Sequence, residues 1–195
     1  MEPASREVAH ARARVMDWFV STAPLVEWSD MESPLGLLYL ARSEVGLCRL
    51  MFGVEEDEFR AGLPERSHTL RNPDALKSAR DEMTAYFAKR LDTFTIPVDL
   101  GDMTAFQQRV LRLACAIPAG HTRSYGQLAR EVGSPRAGRA VGQALGRNPV
   151  PIVVPCHRVL GSQGQLGGYS GGNGVASKRW LLHLEGALQA EAAHD

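Results

Sequence analysis

No stretch of the 195 residues is apolar for long enough to cross a bilayer, and the opening residues lack the hydrophobic core of a secretion signal. Both absences predict a soluble protein of the cytoplasm with no membrane partner. Cysteine is scarce. Cys48, Cys115 and Cys156 are odd in number and far apart, which excludes a disulfide framework and fits a reducing compartment. No two of them have the short spacing that lets one loop offer two ligands to a tetrahedral ion, which argues against a zinc module; no metal and no cofactor are expected. Internal repeats and low-complexity tracts are missing too, which excludes a solenoid or an extended array.

Net charge is also absent, with 22 Lys+Arg against 22 Asp+Glu, but the sum hides a division. Residues 1–100 carry 12 basic and 17 acidic side chains, whereas residues 101–185 carry 10 basic and 3 acidic. A basic segment behind an acidic one suggests that only the second half meets a polyanion, although chance variation between domains gives similar numbers. With 44% hydrophobic residues the chain can bury a core, at a size suited to one or two small domains.

Hydrophobic spacing places Val8, Val15, Trp18 and Phe19 on one face of a helix over residues 5–22. After Ser33-Pro34-Leu35-Gly36, apolar runs at 37–41 and 47–52 flank Ser43-Glu44-Val45-Gly46 and predict a β-hairpin. The acidic stretch 55–64 reads as loop or short helix. Asn72 and Pro73 open a helix with Leu76, Ala79, Met83, Tyr86 and Phe87 on its buried face, and residues 94–98 alternate like a strand that Pro97 confines to an edge. Near Gly101 the character becomes helical. Helices are expected over 104–116 (Phe106, Val110 and Leu113 inward), over 124–132 with a stop at Gly133, from a Ser134 cap through Pro135 to about Gly146, and over 177–188 with Leu181, Leu182 and Glu185 within one turn. Three units follow: a helical extension over 1–30, an α/β domain over 31–100, and a mainly helical domain over 101–188.

Two short helices joined at Gly133-Ser134-Pro135 match a helix-turn-helix. The second is rich in Ala and Gly, with Arg136, Arg139 and Gln143 as its long polar members. Major-groove readers carry several long side chains, so a helix this bare suits close approach to a minor groove, and ordinary helix packing is the competing account. The segment Asn148-Pro149-Val150-Pro151-Ile152-Val153-Val154-Pro155-Cys156-His157-Arg158-Val159 is stiffened by three prolines, so it presents Cys156 with little freedom. A free thiol, pKa ~8.5, needs a base or cation beside it to act at neutral pH. His157 is adjacent, but neighbours in a strand point to opposite faces, so the two cooperate only if a turn or helix starts here; Glu185 is the group placed to orient the imidazole. On local chemistry Cys156 is a nucleophile, a buried apolar residue, half of a metal site, or the nucleophile of a hydrolase that turns over.

Several motifs in fixed order resemble the O6-alkylguanine-DNA alkyltransferase family. They are Ile117-Pro118-Ala119-Gly120 followed by Ser124-Tyr125-Gly126-Gln127-Leu128-Ala129, Arg139-Ala140-Val141-Gly142, Asn148-Pro149, Pro155-Cys156-His157-Arg158-Val159, Gly167-Gly168-Tyr169-Ser170-Gly171-Gly172, and Lys178, Leu181-Leu182 and Glu185. The first half is similar more loosely, through Ser33-Pro34-Leu35-Gly36, Gly46-Leu47-Cys48 and Ile96-Pro97-Val98-Asp99-Leu100. The resemblance implies an α+β fold: a small ribonuclease-H-like sheet and helix domain, then a helical domain with the helix-turn-helix. It implies direct-reversal DNA repair, a single-turnover methylated-DNA–protein-cysteine S-methyltransferase acting as a monomer on double-stranded DNA. Cys156 would take the alkyl carbon from guanine O6, His157 (through a water) and Glu185 would draw off the thiol proton, and Tyr125 would bond guanine N3. The backbone at Cys156 and Val159 and the Ser170 amide would hold the extruded base, and Tyr169 would line the alkyl pocket. Arg139 would fill the space left in the duplex, and Asn148 would brace the turn before the active site. Ser124, Arg136 and Gln143 would meet DNA, and Lys178 would lie near the site. Leu111 stands where the family commonly has Trp, and the residues before Ser33 have no counterpart in the resemblance. A non-catalytic lesion-binding or regulatory helix-turn-helix protein with an inert Cys156 is the alternative.

Overall fold

The computed structural model describes residues 23–188, so the helix expected over 5–22 lies outside the described residues. The first half contains strands β1 (Leu25–Met31), β2 (Leu38–Arg42) and β3 (Leu47–Phe52), helix α1 (Glu56–Ala61), strand β4 (His68–Arg71) and helix α2 (Lys77–Phe87). They form one sheet in the order β3-β2-β1-β4, antiparallel except for the β1–β4 pair. The expected hairpin is β2–β3. Its first strand is a continuous apolar run because both faces are covered. Leu38 and Leu40 enter the main core while Tyr39 and Ala41 enter a smaller one with Trp28 and Phe59, where the Tyr39 and Phe59 rings stack at 5.1 Å.

The structure differs from expectation at several points. The sheet starts at Leu25, so residues 25–30 belong to β1 and not to a helical extension. Strand β4 was not foreseen either. Both carry polar residues satisfied sideways: Asn72 Nδ2 donates to Glu27 Oε1 at 2.7 Å, and Arg71 pairs with Asp30 at 2.5 Å. Helix α2 begins at Lys77, because Asn72 Oδ1 accepts from the Ala75 amide (3.3 Å) and caps a preceding turn. Residues 94–98 make a single parallel bridge, Val98 to Leu47, instead of a strand. There the Leu47 amide donates to Pro97 O, and a Cβ on residue 46 would lie 2.4 Å from that oxygen, so Gly46 lets the linker close on β3.

The second half contains α3 (Ala105–Cys115), β5 (Arg123–Ser124), α4 (Tyr125–Glu131), α5 (Gly138–Gly146), β6 (Val159–Leu160) and α6 (Val175–Leu184). Capping boxes start α3 (Thr104 with Gln107) and α4 (Ser124 with Gln127), each satisfying two backbone donors that a helix start leaves free. The buried face of α3 centres on Val110, Leu111 and Ala114, with Phe106 and Leu113 only half-buried. Leu111 is fully enclosed, so the departure from Trp concerns packing. Gly133, at φ +78°, ends α4 as expected. Ser134 and Pro135 form a turn closed by the Ala137 amide on Ser134 O, so α5 starts at Gly138 without a side-chain cap. Helix α6 starts and stops earlier than the spacing predicts, and Glu185 is its C-cap. The two-residue parallel ladder β5–β6 pairs Arg123 with Val159 and Ser124 with Leu160, which brings Tyr125 beside the cysteine segment. Among the described residues no helix is long and apolar enough to cross a membrane.

Candidate active site

Asn148, buried after the end of α5, organises the approach to the cysteine. Its Oδ1 accepts from the Val150 amide (3.0 Å), and its Nδ2 donates to Val154 O (2.8 Å) and to Cys156 Sγ (3.1 Å). These three bonds hold a loop that contains a strained residue: Ile152, fully buried, sits at φ +76°. For a β-branched side chain that conformation costs ~1–3 kcal/mol and persists only where the surroundings enforce it. The loop then tightens into one 3₁₀ turn over Cys156–Arg158. The turn supplies the condition set by the sequence, since Cys156 and His157 no longer alternate as they would in a strand.

Behind the thiol lies a closed charge network. His157 Nε2 is 3.0 Å from Glu185 Oε1, with the two side chains 0% and 2% exposed. Arg158 grips the same carboxylate from two directions, Nε to Oε2 at 2.9 Å and Nη2 to Oε1 at 2.8 Å, and its Nη1 donates to Ile117 O at 2.5 Å. Burial alone would raise the Glu185 pKa. The hydrogen bonds from His157 and Arg158, with the Arg158 charge, outweigh it and bring the carboxyl to about 2. An ionised carboxylate only accepts, so Nε2 carries the imidazole proton and Nδ1 keeps its lone pair. That Nδ1 is buried and has no hydrogen-bond partner among the described residues. Burial lowers the His157 pKa against the pull of Glu185, so the ring is neutral at neutral pH. It is a base awaiting a proton.

Burial also raises the Cys156 pKa, opposed by the Asn148 hydrogen bond and the Lys178 charge, so the resting sulfur is a thiol. Lys178 is fully enclosed. Its Nζ donates to Val159 O at 2.7 Å and lies 5.9 Å from the centre of the Tyr125 ring, and burial lowers its pKa to about 8. Cys156 faces a cavity of about 340 Å³ whose walls are Tyr125, Tyr169, Leu145 and Ser170, with Gly142, Gly146 and Gly168 giving it width. The Tyr169 hydroxyl is buried with no hydrogen-bond partner among the described residues.

Of the residues expected at the site, Cys156, Tyr125, Tyr169 and Ser170 line the cavity, while His157, Glu185, Asn148 and Lys178 stand behind it. Val159 does not line it; its side chain is buried and its carbonyl receives Lys178. Arg139 and Gln143 are exposed on α5 and Arg136 on the turn before it, whereas the Ser124 hydroxyl accepts from Gln127 N (3.1 Å) as the cap of α4. Sequence reasoning missed Tyr86, whose hydroxyl donates to Glu185 Oε1 at 2.7 Å across 99 residues of chain, and it named Arg158 only as a letter in a motif. Helical spacing had put Tyr86 on a core-facing stripe, and no pattern marks a hydroxyl that distant.

Comparison with known proteins decides the family. Residues 26–100 match the model described as 6-O-methylguanine DNA methyltransferase, ribonuclease-like domain, and residues 105–187 match its DNA binding domain. The chain belongs to the 6-O-methylguanine DNA methyltransferase family. Among relatives in that methyltransferase family, the methylated-DNA–protein-cysteine methyltransferase of Mycobacterium tuberculosis is 44% identical over 161 residues, 83% of this chain and 93% of that one. The protein of the same name from Methanosarcina mazei is 40% identical over 155 residues, covering 80% and 94%. The crystal structure of Mycobacterium tuberculosis OGT in complex with DNA superposes with a TM-score of 0.72 at 42% identity, over 83% of this chain and 93% of that one. The expected fold, a sheet domain followed by a helical one, is the fold of this methyltransferase family.

Proposed function

We propose that this protein repairs DNA by direct reversal, moving the alkyl group of O6-alkylguanine onto its own Cys156. The observation that carries the reading is a thiol at the floor of an open cavity, backed by a neutral imidazole that Glu185 fixes in one tautomer. In the reaction Sγ forms a bond to the alkyl carbon as the carbon–O6 bond breaks. The thiol proton passes through a water to His157 Nδ1, and the departing guanine receives a proton at N3 from Tyr125, which is replenished from solvent. A thioether is not hydrolysed under cellular conditions, so one molecule repairs one lesion.

O6 lies inside the duplex, so the base must be extruded, at a cost of roughly a few kcal/mol and least where pairing is already damaged. Helices α4 and α5 form the helix-turn-helix, and the small residues of α5 let its backbone approach the minor groove. Arg139 enters the gap, Arg136, Gln143 and Ser124 meet the backbone, and the Ser170 amide with the Cys156 and Val159 carbonyls holds the base edge. We further propose a cytoplasmic monomer whose two units meet near residue 100.

Incubation with duplex DNA containing O6-methylguanine followed by intact mass measurement tests the reading. A single added methyl group that Cys156→Ser abolishes supports it. Unchanged mass at saturating DNA leaves a lesion-binding protein, and steady product well beyond one equivalent leaves a hydrolase; either outcome removes the proposal.

A further inference from the structure

We infer that Tyr86, a residue of the first domain, is a positioning residue for alkyl transfer: its hydroxyl fixes the Glu185 carboxylate against His157. This rests on the repair reading above. Tyr86 is 3% exposed near the end of α2, and its hydroxyl donates to Glu185 Oε1 at 2.7 Å. The ring has no freedom to drift, because it packs edge-on against Phe87 (5.4 Å) and beside Phe94 (5.2 Å), while Phe87 meets Trp180 of α6 (6.1 Å). Helix α2 is thereby clamped to the helix that ends at Glu185.

The stoichiometry at the carboxylate gives this contact its meaning. Among the described residues Oε1 receives three donors, Tyr86 Oη, His157 Nε2 and Arg158 Nη2, whereas Oε2 receives only Arg158 Nε. An oxygen with about two lone-pair sites cannot serve three donors fully, so they share its charge. Tyr86 therefore does two things. It fixes the torsion of a side chain at a helix C-terminus, where the backbone alone constrains it weakly. It also draws off part of the negative charge that would otherwise favour an imidazolium, so His157 stays neutral with Nδ1 free. The other groups around this carboxylate and imidazole are Arg158 from the same 3₁₀ turn, Lys178 from α6, and Tyr169 from the substrate-facing loop.

Tyr86→Phe keeps the ring packing and removes only the donor. Single-turnover methyl transfer from duplex DNA is expected to slow roughly tenfold at neutral pH, the scale of one hydrogen bond to a charged group. Affinity for the lesion should not change. The acid limb of the pH–rate profile should move to higher pH, since transfer needs neutral His157 and more of the Glu185 charge then favours its protonated form. Tyr86→Phe with the wild-type rate and the wild-type limb overturns the inference. So does a slower rate accompanied by a lower melting temperature and an unmoved limb, which would make Tyr86 a stabilising residue only. The wild-type protein assayed in parallel separates the two claims: if it takes up no methyl group, the repair reading fails, whereas methylated wild type with an indifferent variant sinks the role of Tyr86 alone.

Discussion

At the scale of the residue, the site is a set of ionisable groups whose burial is offset unequally. Glu185 is buried yet ionised because Arg158, His157 and Tyr86 surround it with donors, whereas Cys156 and His157 are buried and neutral because their partners compensate less. This arrangement suits a reaction that begins with a thiol and a free imidazole nitrogen, since each waits uncharged until the alkyl carbon arrives. It also fixes how stability responds to acid. Glu185 has its folded pKa at about 2, below the ordinary 4.5, so its contribution is complete above pH 4.5 and disappears as the pH falls through 2. His157 has its folded pKa below the ordinary 6.5, so the unfolded chain takes up a proton that the folded one refuses, and stability declines as the pH drops below 6.5. Melting temperatures measured from pH 7.5 down to about 3 should therefore fall in two stages. Glu185→Gln, though less stable throughout, should show a flatter second stage. A lower stage equally steep in that variant would mean that other carboxylates govern it.

At the scale of the element, helix starts carry more consequence than helix interiors. Helix α4 is only seven residues long, too short to persist without its ends, and Ser124 closes its capping box while β5 binds that end to β6. Ser124→Ala should destabilise the protein by about 1 kcal/mol in urea, and Ser124→Asp, which restores an acceptor, should recover most of that loss. A neutral Ser124→Ala would mean that tertiary packing alone holds α4. The helix that Ser124 opens was legible in the sequence, as were the β2–β3 hairpin and the Gly133 stop, because each depends on residues adjacent in the chain. Elements whose existence depends on distant partners were not. Strand β1 looks too polar until Asn72 and Arg71 are seen to satisfy Glu27 and Asp30, and residues 94–98 alternate correctly yet find a ladder partner only at Val98. The helix starts at Ser134 and Asn72 were misplaced for one reason: both side chains favour turns as readily as caps, and here the turn came first. The site divides the same way. Cys156, His157 and their turn lie within one legible segment and Glu185 within one recognisable helix, whereas Tyr86 reaches them from a different domain.

At the scale of the whole molecule, the acidic half and the basic half have separate work. The first domain supplies no DNA-facing charge in this reading; it braces the site. The Leu50 amide donates to Pro149 O at 2.9 Å, and Phe52 of β3 lies so close beneath the loop after Tyr169 that a Cβ on residue 172 would come within 2.3 Å of its ring. With Tyr86 these contacts hold the loop before Cys156, the loop after Tyr169 and the Glu185 carboxylate. The second half, with 10 basic and 3 acidic residues over 101–185, carries the charge suited to phosphates. Arg139 is exposed on a helix whose neighbouring residues are too small to fill any gap in a duplex. An extruded base leaves such a gap, and losing the stacking there costs roughly a few kcal/mol unless a side chain replaces it. A free modified base has no stack to leave, so it makes no such demand on the protein. Arg139→Ala should therefore slow methyl transfer from duplex DNA by about two orders of magnitude, the equivalent of ~3 kcal/mol, while reaction of the same variant with free O6-methylguanine changes little. Both rates can be followed by the appearance of methylated protein under single-turnover conditions. Equal losses on the two substrates would place Arg139 among residues that support the fold or the thiol, and the gap in the duplex would then need another occupant.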